Sequence, residues 1–305
     1  MTAPYHIPVM GPEVVQWLVT DPQGVYADFT VGGGGHSRLI LDQLGEDGLL
    51  CGIDRDSDAV AAARAVLPNR IKLWNIRFSA AQSKLENEFG ATFSGILMDL
   101  GVSSYQLDEA ARGFSYRGDG PLDLRMDRES GETAAELLAR LSEAELRNLI
   151  GRLGEESQAP RIAKAIHNAK AIEPITTTGK LAEIIRRSVP ATCVKSLPRV
   201  FQALRMAVNH ELDELKLGLE SAWALLRPTG RLVVLSYHSL EDRPVKQFMQ
   251  ALVHPPLDPL TGIITPAQPP RARYPVRGPL LPSASELKAN PRSRSAKLRV
   301  IEKLS

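Results

Sequence analysis

Two carboxylates and a glycine run stand where chemistry is done in nucleotide-binding folds. Gly32, Gly33, Gly34 and Gly35 are consecutive and lead into His36 and Ser37. Asp54 closes the apolar run Leu49 to Ile53, and Asp99 closes the apolar run Gly95 to Met98. Glycine lets a backbone approach a ligand with no Cβ in the way. The N–H groups that open the following helix suit an anionic part of that ligand. A carboxylate about 20 residues beyond such a turn can accept both hydroxyls of a ribose, which is the position of Asp54. A fourth polar cluster, SYHSLEDR (236–243), follows the strand pattern Arg231 to Tyr237.

The elements that must carry these groups alternate. Val25 to Val31 reads as a buried strand, Leu39 to Leu44 as a helix and Leu49 to Ile53 as a second strand. Asp58 to Leu67 is helical, Ile71 to Ile76 is a third strand, and Gly95 to Gly101 is the clearest strand of the chain. Phe78, just past the third strand, is placed to cover an adenine, since ligands in doubly wound sheets sit beyond the carboxyl ends of the strands. The cofactor is one of two. A dinucleotide site asks for a third glycine, as in G-x-G-x-x-G. Here the register from Gly32 and Gly34 ends on Ser37, and that from Gly33 and Gly35 ends on Arg38. The departure favours S-adenosylmethionine, whose carboxylate is a smaller anion than a pyrophosphate. An NAD-dependent oxidoreductase stays as the alternative.

Composition narrows the class. The chain has 305 residues, 43% hydrophobic and 24% charged, which is ordinary for a globular protein. A net charge of +2 is too small to argue for nucleic acid by itself, so any basic surface must be local. Cys51 and Cys193 are isolated, no Cys/His spacing suggests a metal, and the N-terminus has no secretory pattern. No window reaches the roughly 18 apolar residues of a membrane span. The expected setting is cytoplasmic.

Between the two α/β stretches lies a different rhythm. Gly101 to Asp127 is a long polar segment without a period, of the kind that usually serves function. From Thr133 to Val189 four helical patterns follow, one with the capping box Ser142 and Glu145 and one capped by Thr178. Arg161, Lys164, His167 and Lys170 recur every third residue and form a basic stripe. Pro198 then opens one long helix, with apolar residues from Phe201 to Ala222, spanning roughly 40 Å. Residues 254–282 are proline-rich. Arg271, Arg273, Arg277, Lys288, Arg292, Arg294, Lys297 and Arg299 face a single acid, Glu286, and such density suits phosphate contacts. The run 296–301 alternates like an edge strand. The predicted division is an α/β domain over 1–108 and 199–305, with a helical insertion over 109–198.

With these residues in view, the chain resembles the RsmH (MraW) family of ribosomal RNA methyltransferases. The resemblance is carried by His6-Ile7-Pro8-Val9, GGGGHS (32–37), GIDRD (52–56), MDLGVSSYQLD (98–108) and RGFSYRGDGPLDLRMD (112–127). It continues through GEES (154–157), RIAKAI (161–166), PRVFQALRMAVNHEL (198–212), SYHSLEDR and NPRSRSAKLRV (290–300). Tyr237 stands where phenylalanine is usual. The resemblance implies a class I, Rossmann-like methyltransferase fold with a helical, substrate-recognising insertion. It implies methylation of the exocyclic N4 amine of cytidine 1402 in 16S rRNA, with the 30S subunit as partner. A homodimer is left open. It also implies that Gly33, Gly34, Gly35 and His36 hold the methionine end of the cofactor, Asp54 the ribose and Phe78 the adenine, with Asp99 and Gln106 completing the pocket. Asp99, Ser103, Ser104, Tyr237 and His238 are the expected contacts to the cytosine. A non-catalytic RNA-binding assembly factor on the same fold is the third reading.

Overall fold

The computed structural model describes residues 7–254 and 269–304, so His6 and part of the proline-rich stretch lie outside the described residues. The first stretch alternates as its apolar spacing requires: α1 (Gly11–Leu18), β1 (Val25–Asp28), α2 (Gly35–Leu41), β2 (Leu49–Asp54), α3 (Ser57–Val66), β3 (Ile71–Asn75), α4 (Phe78–Phe89) and β4 (Phe93–Asp99). Six of the seven residues of β4 are buried, as expected of a parallel strand covered on both faces. Five helices follow: α5 (Ser104–Asp108), α6 (Ala134–Arg140), α7 (Glu143–Gly154), α8 (Ala159–Ile172), α9 (Thr178–Ser188). Then come α10 (Cys193–Val208), α11 (Glu211–Leu225), β5 (Leu226–Ser236), α12 (Ser239–Val253), β6 (Ala272–Arg273), α13 (Ala284–Ala289) and β7 (Lys297–Lys303).

The strands form one seven-stranded sheet in the order β3-β2-β1-β4-β5-β7-β6. β1 to β5 are parallel, and β7 runs antiparallel between β5 and β6. The first five positions match a dinucleotide fold, in which the order closes 4-5-6; the antiparallel strand beside β5 does not. The sequence expected an edge strand at 296–301. Instead β7 is paired on both sides, with the two-residue β6 as the edge. Side chains alternate across the sheet. Ala27, Cys51, Ile96, Met98, Leu232 and Val234 pack beneath α4, α11 and α12. Tyr26, Leu50, Leu97, Val233, Leu235 and Leu298 pack beneath α1, α2 and α3. The fold class is α/β, as read from the sequence.

Contacts divide the chain into Met1–Gly101 with Asp213–Ser305, and Val102–Leu212. The second unit is wider at both ends than the span 109–198 read from the sequence. Its α10 packs on α7 and shares their apolar core through Leu197, Val200, Phe201 and Leu204. The long helix predicted from Pro198 is two helices. It starts earlier, at Cys193, and breaks at Asn209 and His210, where His210 adopts a left-handed φ of 49°. The Asn209 side chain explains the break. Its Nδ2 donates to the Leu124 carbonyl at 2.7 Å, and its Oδ1 accepts the Met126 N–H at 2.8 Å.

Those bonds also give a role to the long segment after Gly101. Arg112 is 2% exposed and donates to the Arg125 and Met126 carbonyls, so this stretch is a packed part of the helical unit. Thr177, one residue before the predicted cap, accepts the Lys180 N–H and starts α9. The capping box of Ser142 and Glu145 forms as expected. The basic stripe on α8 is divided: Lys170 donates to the carbonyls of Leu138 (2.8 Å), Ala139 (3.1 Å) and Leu141, closing the end of α6.

Candidate active site

Strand ends collect the carboxylates. Asp54 ends β2, and its two oxygens accept the Gly32 N–H at 2.9 Å and the Asp56 N–H at 2.9 Å. Burial pushes its carboxyl up to about 6, although these two bonds pull the other way. The glycine loop is therefore tied to the acid. Within it Gly32 and Gly34 have positive φ, 51° and 84°. A Cβ on Gly34 would also press Leu67, and one on Gly35 would lie 2.9 Å from Pro8. Gly33 alone of these three would meet nothing. Gly32, Gly34 and Gly35 thus answer to the fold, and Gly33 opens on space.

Asp28, at the end of β1, was not singled out by the sequence. It is fully buried and accepts the Ser37 hydroxyl at 2.7 Å and the Thr30 N–H at 3.0 Å. Burial raises its carboxyl against the pull of Ser37 and His36. Thr30 passes this anchor on, because its Oγ1 accepts the Asp99 N–H at 2.7 Å. In the sequence Asp28 falls inside the strand read from Val25 to Val31, because Phe29 and Val31 carry the apolar pattern past it; the observed strand ends at Asp28.

Asp99 is the hub. Its Oδ1 accepts the Tyr237 hydroxyl at 2.7 Å, and its Oδ2 lies 3.4 Å from His36 Nδ1. The opposite ring nitrogen of His36 lies 3.0 Å from the Val9 carbonyl, which can only accept. Nε2 therefore carries a hydrogen, and the contact at Nδ1 is attractive only with a proton between imidazole and carboxylate. Burial raises the Asp99 carboxyl, with His36 and Tyr237 opposing. Its side chain keeps 24% of its surface exposed, so it remains reachable. Burial, with the Asp99 charge beside it, holds the Tyr237 phenol well above its ordinary value.

The sequence placed Tyr237 and His238 together, and the structure gives them one buried partner, Glu241. It accepts the Tyr237 N–H at 2.8 Å, and its other oxygen lies 3.0 Å from His238 Nε2. That second contact is an ion-pair distance without hydrogen-bond direction, since neither ring nitrogen of His238 finds a hydrogen-bond partner among the described residues. Phe78, expected past a strand end, is the first residue of α4. Its ring lies 6.1 Å from that of Phe29, and a Cβ on Gly218 would sit 2.8 Å from it. It is half-buried and braces the core. Ser103 and Gln106 belong to the helical unit and complete a capping box on α5: the Gln106 N–H meets Ser103 Oγ, and Gln106 Oε1 accepts the Ser103 N–H. Ser104 is the first residue of that helix.

The basic C-terminal stretch is partly spent on the fold. Arg273 pairs with Glu302, while Lys297 and Arg299 both pair with Asp242 on α12. Three of the eight cations whose density suggested phosphate contacts are thus engaged in ion pairs within the fold. Among the described residues no cluster of His, Cys, Asp or Glu is placed to hold a metal, and no helix is long and apolar enough to cross a membrane.

Comparison with known proteins adds three findings. The sequence profile of the MraW methylase family matches residues 3–304. The ribosomal RNA small subunit methyltransferase H of Syntrophotalea carbinolica is 47% identical over 98% of both chains, and that of Granulibacter bethesdensis is 47% identical over 97% of this chain and 91% of its own. Among solved structures, an SAM-dependent O-methyltransferase from Thermotoga maritima is 8% identical with a TM-score of 0.42, covering 99% of this chain and 68% of its own.

Proposed function

Because this chain belongs to the MraW methylase family, we propose that it methylates 16S rRNA of the small ribosomal subunit, at the exocyclic N4 amine of cytidine 1402, with S-adenosylmethionine as donor. The observation that carries the reading is the near-full-length identity with relatives named for methylation of small-subunit rRNA. The geometry agrees with the cofactor. Gly33 leaves the loop backbone open, and Asp54 keeps acceptor capacity beyond the two N–H groups it already holds.

S-adenosylmethionine supplies an electrophilic methyl group on a sulfonium. The loop Gly33 to His36 would hold its methionine end, Asp54 its ribose and the open side of Phe78 its adenine, with Gln106 as a further contact. His36 has both ring nitrogens engaged by Val9 and Asp99, so its backbone is the part offered to a ligand.

The amine of cytosine is a weak nucleophile because its lone pair is delocalised into the ring. Much of the catalysis is therefore placement, near 3 Å from the methyl carbon. An acceptor aimed at the amine protons localises that pair and stabilises the positive charge that develops. Asp99 is the acceptor in this proposal, oriented by Thr30, His36 and Tyr237. Ser103, Ser104, Tyr237 and His238 are proposed as further contacts to the base. A base in structured RNA must unstack to reach such a site, at a few kcal/mol. The proton leaves readily after transfer, so no dedicated base is required.

The test is transfer from labelled S-adenosylmethionine to 30S subunits lacking the modification, followed by mapping of the label. Label on the N4 amine of cytidine 1402 is expected. Label elsewhere would overturn the assigned position. Cofactor binding with no transfer, in an active preparation, would turn the reading to a non-catalytic assembly role.

A further inference from the structure

Many cations of the described residues are held in ion pairs, and one end of the helical unit gathers several that are not. Only four residues separate α7 from α8, and another four separate α9 from α10. α7 packs on α8 and α10, and α9 packs on both α8 and α10. The closing turn of α7 is locked to α10: Gln202 Nε2 donates to the Leu153 carbonyl at 3.1 Å, and a Cβ on Gly154 would lie 2.7 Å from the Arg199 carbonyl oxygen. The end of α7, the start of α8, the end of α9 and the start of α10 are therefore gathered at one end of the bundle.

That end carries Arg152, Arg161, Lys164, Arg186 and Lys195, all exposed and none in an ion pair among the described residues. Two further cations there are paired, Arg187 with Glu183 and Arg199 with the buried Glu156. The contrast with the C-terminal stretch is sharp, since Arg273, Lys297 and Arg299 are held by Glu302 and Asp242. Val194 stands among the cations, 83% exposed.

We propose that this end of the helical unit is a docking surface for the phosphate backbone of RNA. The inference rests on the rRNA methylation reading and assigns a surface of the helical unit that grips the substrate. Exposed lysines and arginines that are in no ion pair among the described residues match a phosphate track. A protein partner fits worse, because protein interfaces are depleted in lysine and enriched in aromatics. This surface has two lysines and no aromatic side chain. Val194 offers an apolar contact to a ribose.

The test measures retention of unmodified 30S subunits by the full chain across a salt series, with methyl transfer recorded in parallel. The double reversal Arg161→Glu/Lys195→Glu is compared with Lys216→Glu/Lys246→Glu, which reverses two exposed cations of the sheet unit. The first pair is expected to weaken retention about tenfold or more and to lower the salt slope by about 1.5, at roughly 0.7 to 0.9 per phosphate contact. The neutral pair Arg161→Gln/Lys195→Gln is expected to fall between it and wild type, with cofactor affinity equal in all. Retention within twofold of wild type for the first pair overturns the proposal, as does an equal loss in the sheet-unit pair. Loss on subunits with unchanged binding to protein-free 16S RNA also overturns it, by assigning the surface to a ribosomal protein. Retention by wild type without methyl transfer would sink the methylation reading instead, while the docking surface would still be judged by retention.

Discussion

Gly32 donates its backbone N–H to Asp54 at 2.9 Å, so the glycine loop and the carboxylate that ends β2 move as one piece. The proton on Asp54 therefore controls both. An acid whose folded value is raised from 3.8 to about 6 binds more protons folded than unfolded within that window. Folding stability consequently falls as pH climbs from about 4 to about 6 and is level above it. The ionised form is the better ribose acceptor, so cofactor affinity runs the other way. We expect the Kd for S-adenosylmethionine to be about tenfold weaker at pH 5 than at pH 7 in calorimetric titration. Asp54→Asn should bind weakly at both. A wild-type profile flat from pH 5 to 7 would remove Asp54 from the ribose site.

Asp99→Asn keeps the shape of the hub and removes its charge. Turnover is expected to fall by about a hundredfold or more, the scale of losing an aimed electrostatic partner. Tyr237→Phe removes one neutral donor to Asp99, and it should lower stability by about 1 kcal/mol and turnover by less than about tenfold. Single-turnover methylation assays separate the two. A loss below about tenfold in Asp99→Asn would discard it as the acceptor.

Thr30→Val is nearly isosteric and deprives the Asp99 N–H of its acceptor. An unsatisfied N–H in this part-buried site is expected to lower stability by about 1–3 kcal/mol. Thr30→Ser keeps a hydroxyl and should recover most of it. Thermal melts of the three proteins decide the matter, and a valine variant as stable as wild type would show that the bond contributes nothing.

Lys170 caps α6 from the neighbouring helix. Lys170→Met keeps the aliphatic stem and loses the cap, which should destabilise the end of α6 by about 1–2 kcal/mol. Amide exchange at Leu138 to Leu141 should accelerate, with cofactor affinity unchanged. Unaltered exchange there would return Lys170 to the solvated stripe suggested by its spacing.

What could be read in advance follows from the range of the forces. Strand ends were legible because an apolar run stopping on an acid is a local pattern, and Asp54 and Asp99 both stand where that pattern put them. Asp28 was passed over because Phe29 and Val31 carry the apolar pattern on to Val31, whereas the strand ends at Asp28. The break between α10 and α11 was illegible, because the apolar spacing from Phe201 to Ala222 runs through it without interruption. The Asn209 side chain bonds to residues more than eighty positions earlier, and no local spacing records that. The pairing of Lys297 and Arg299 with Asp242 was hidden for the same reason.

The place of β7 in the sheet bears on how the protein can be made. Strands β1 to β5 are available for pairing once residue 236 has been synthesised, but the far edge of β5 stays bare until residues 297–303 emerge. β6 cannot shield that edge alone, because it has two residues and, among the described residues, pairs only with β7. A bare, largely buried parallel strand is a template for unwanted pairing. During translation the nascent chain must therefore carry this exposed edge for about sixty residues, several seconds at cellular elongation rates. Slowing elongation across the proline-rich stretch would lengthen that exposure, and chaperone dependence should rise with it.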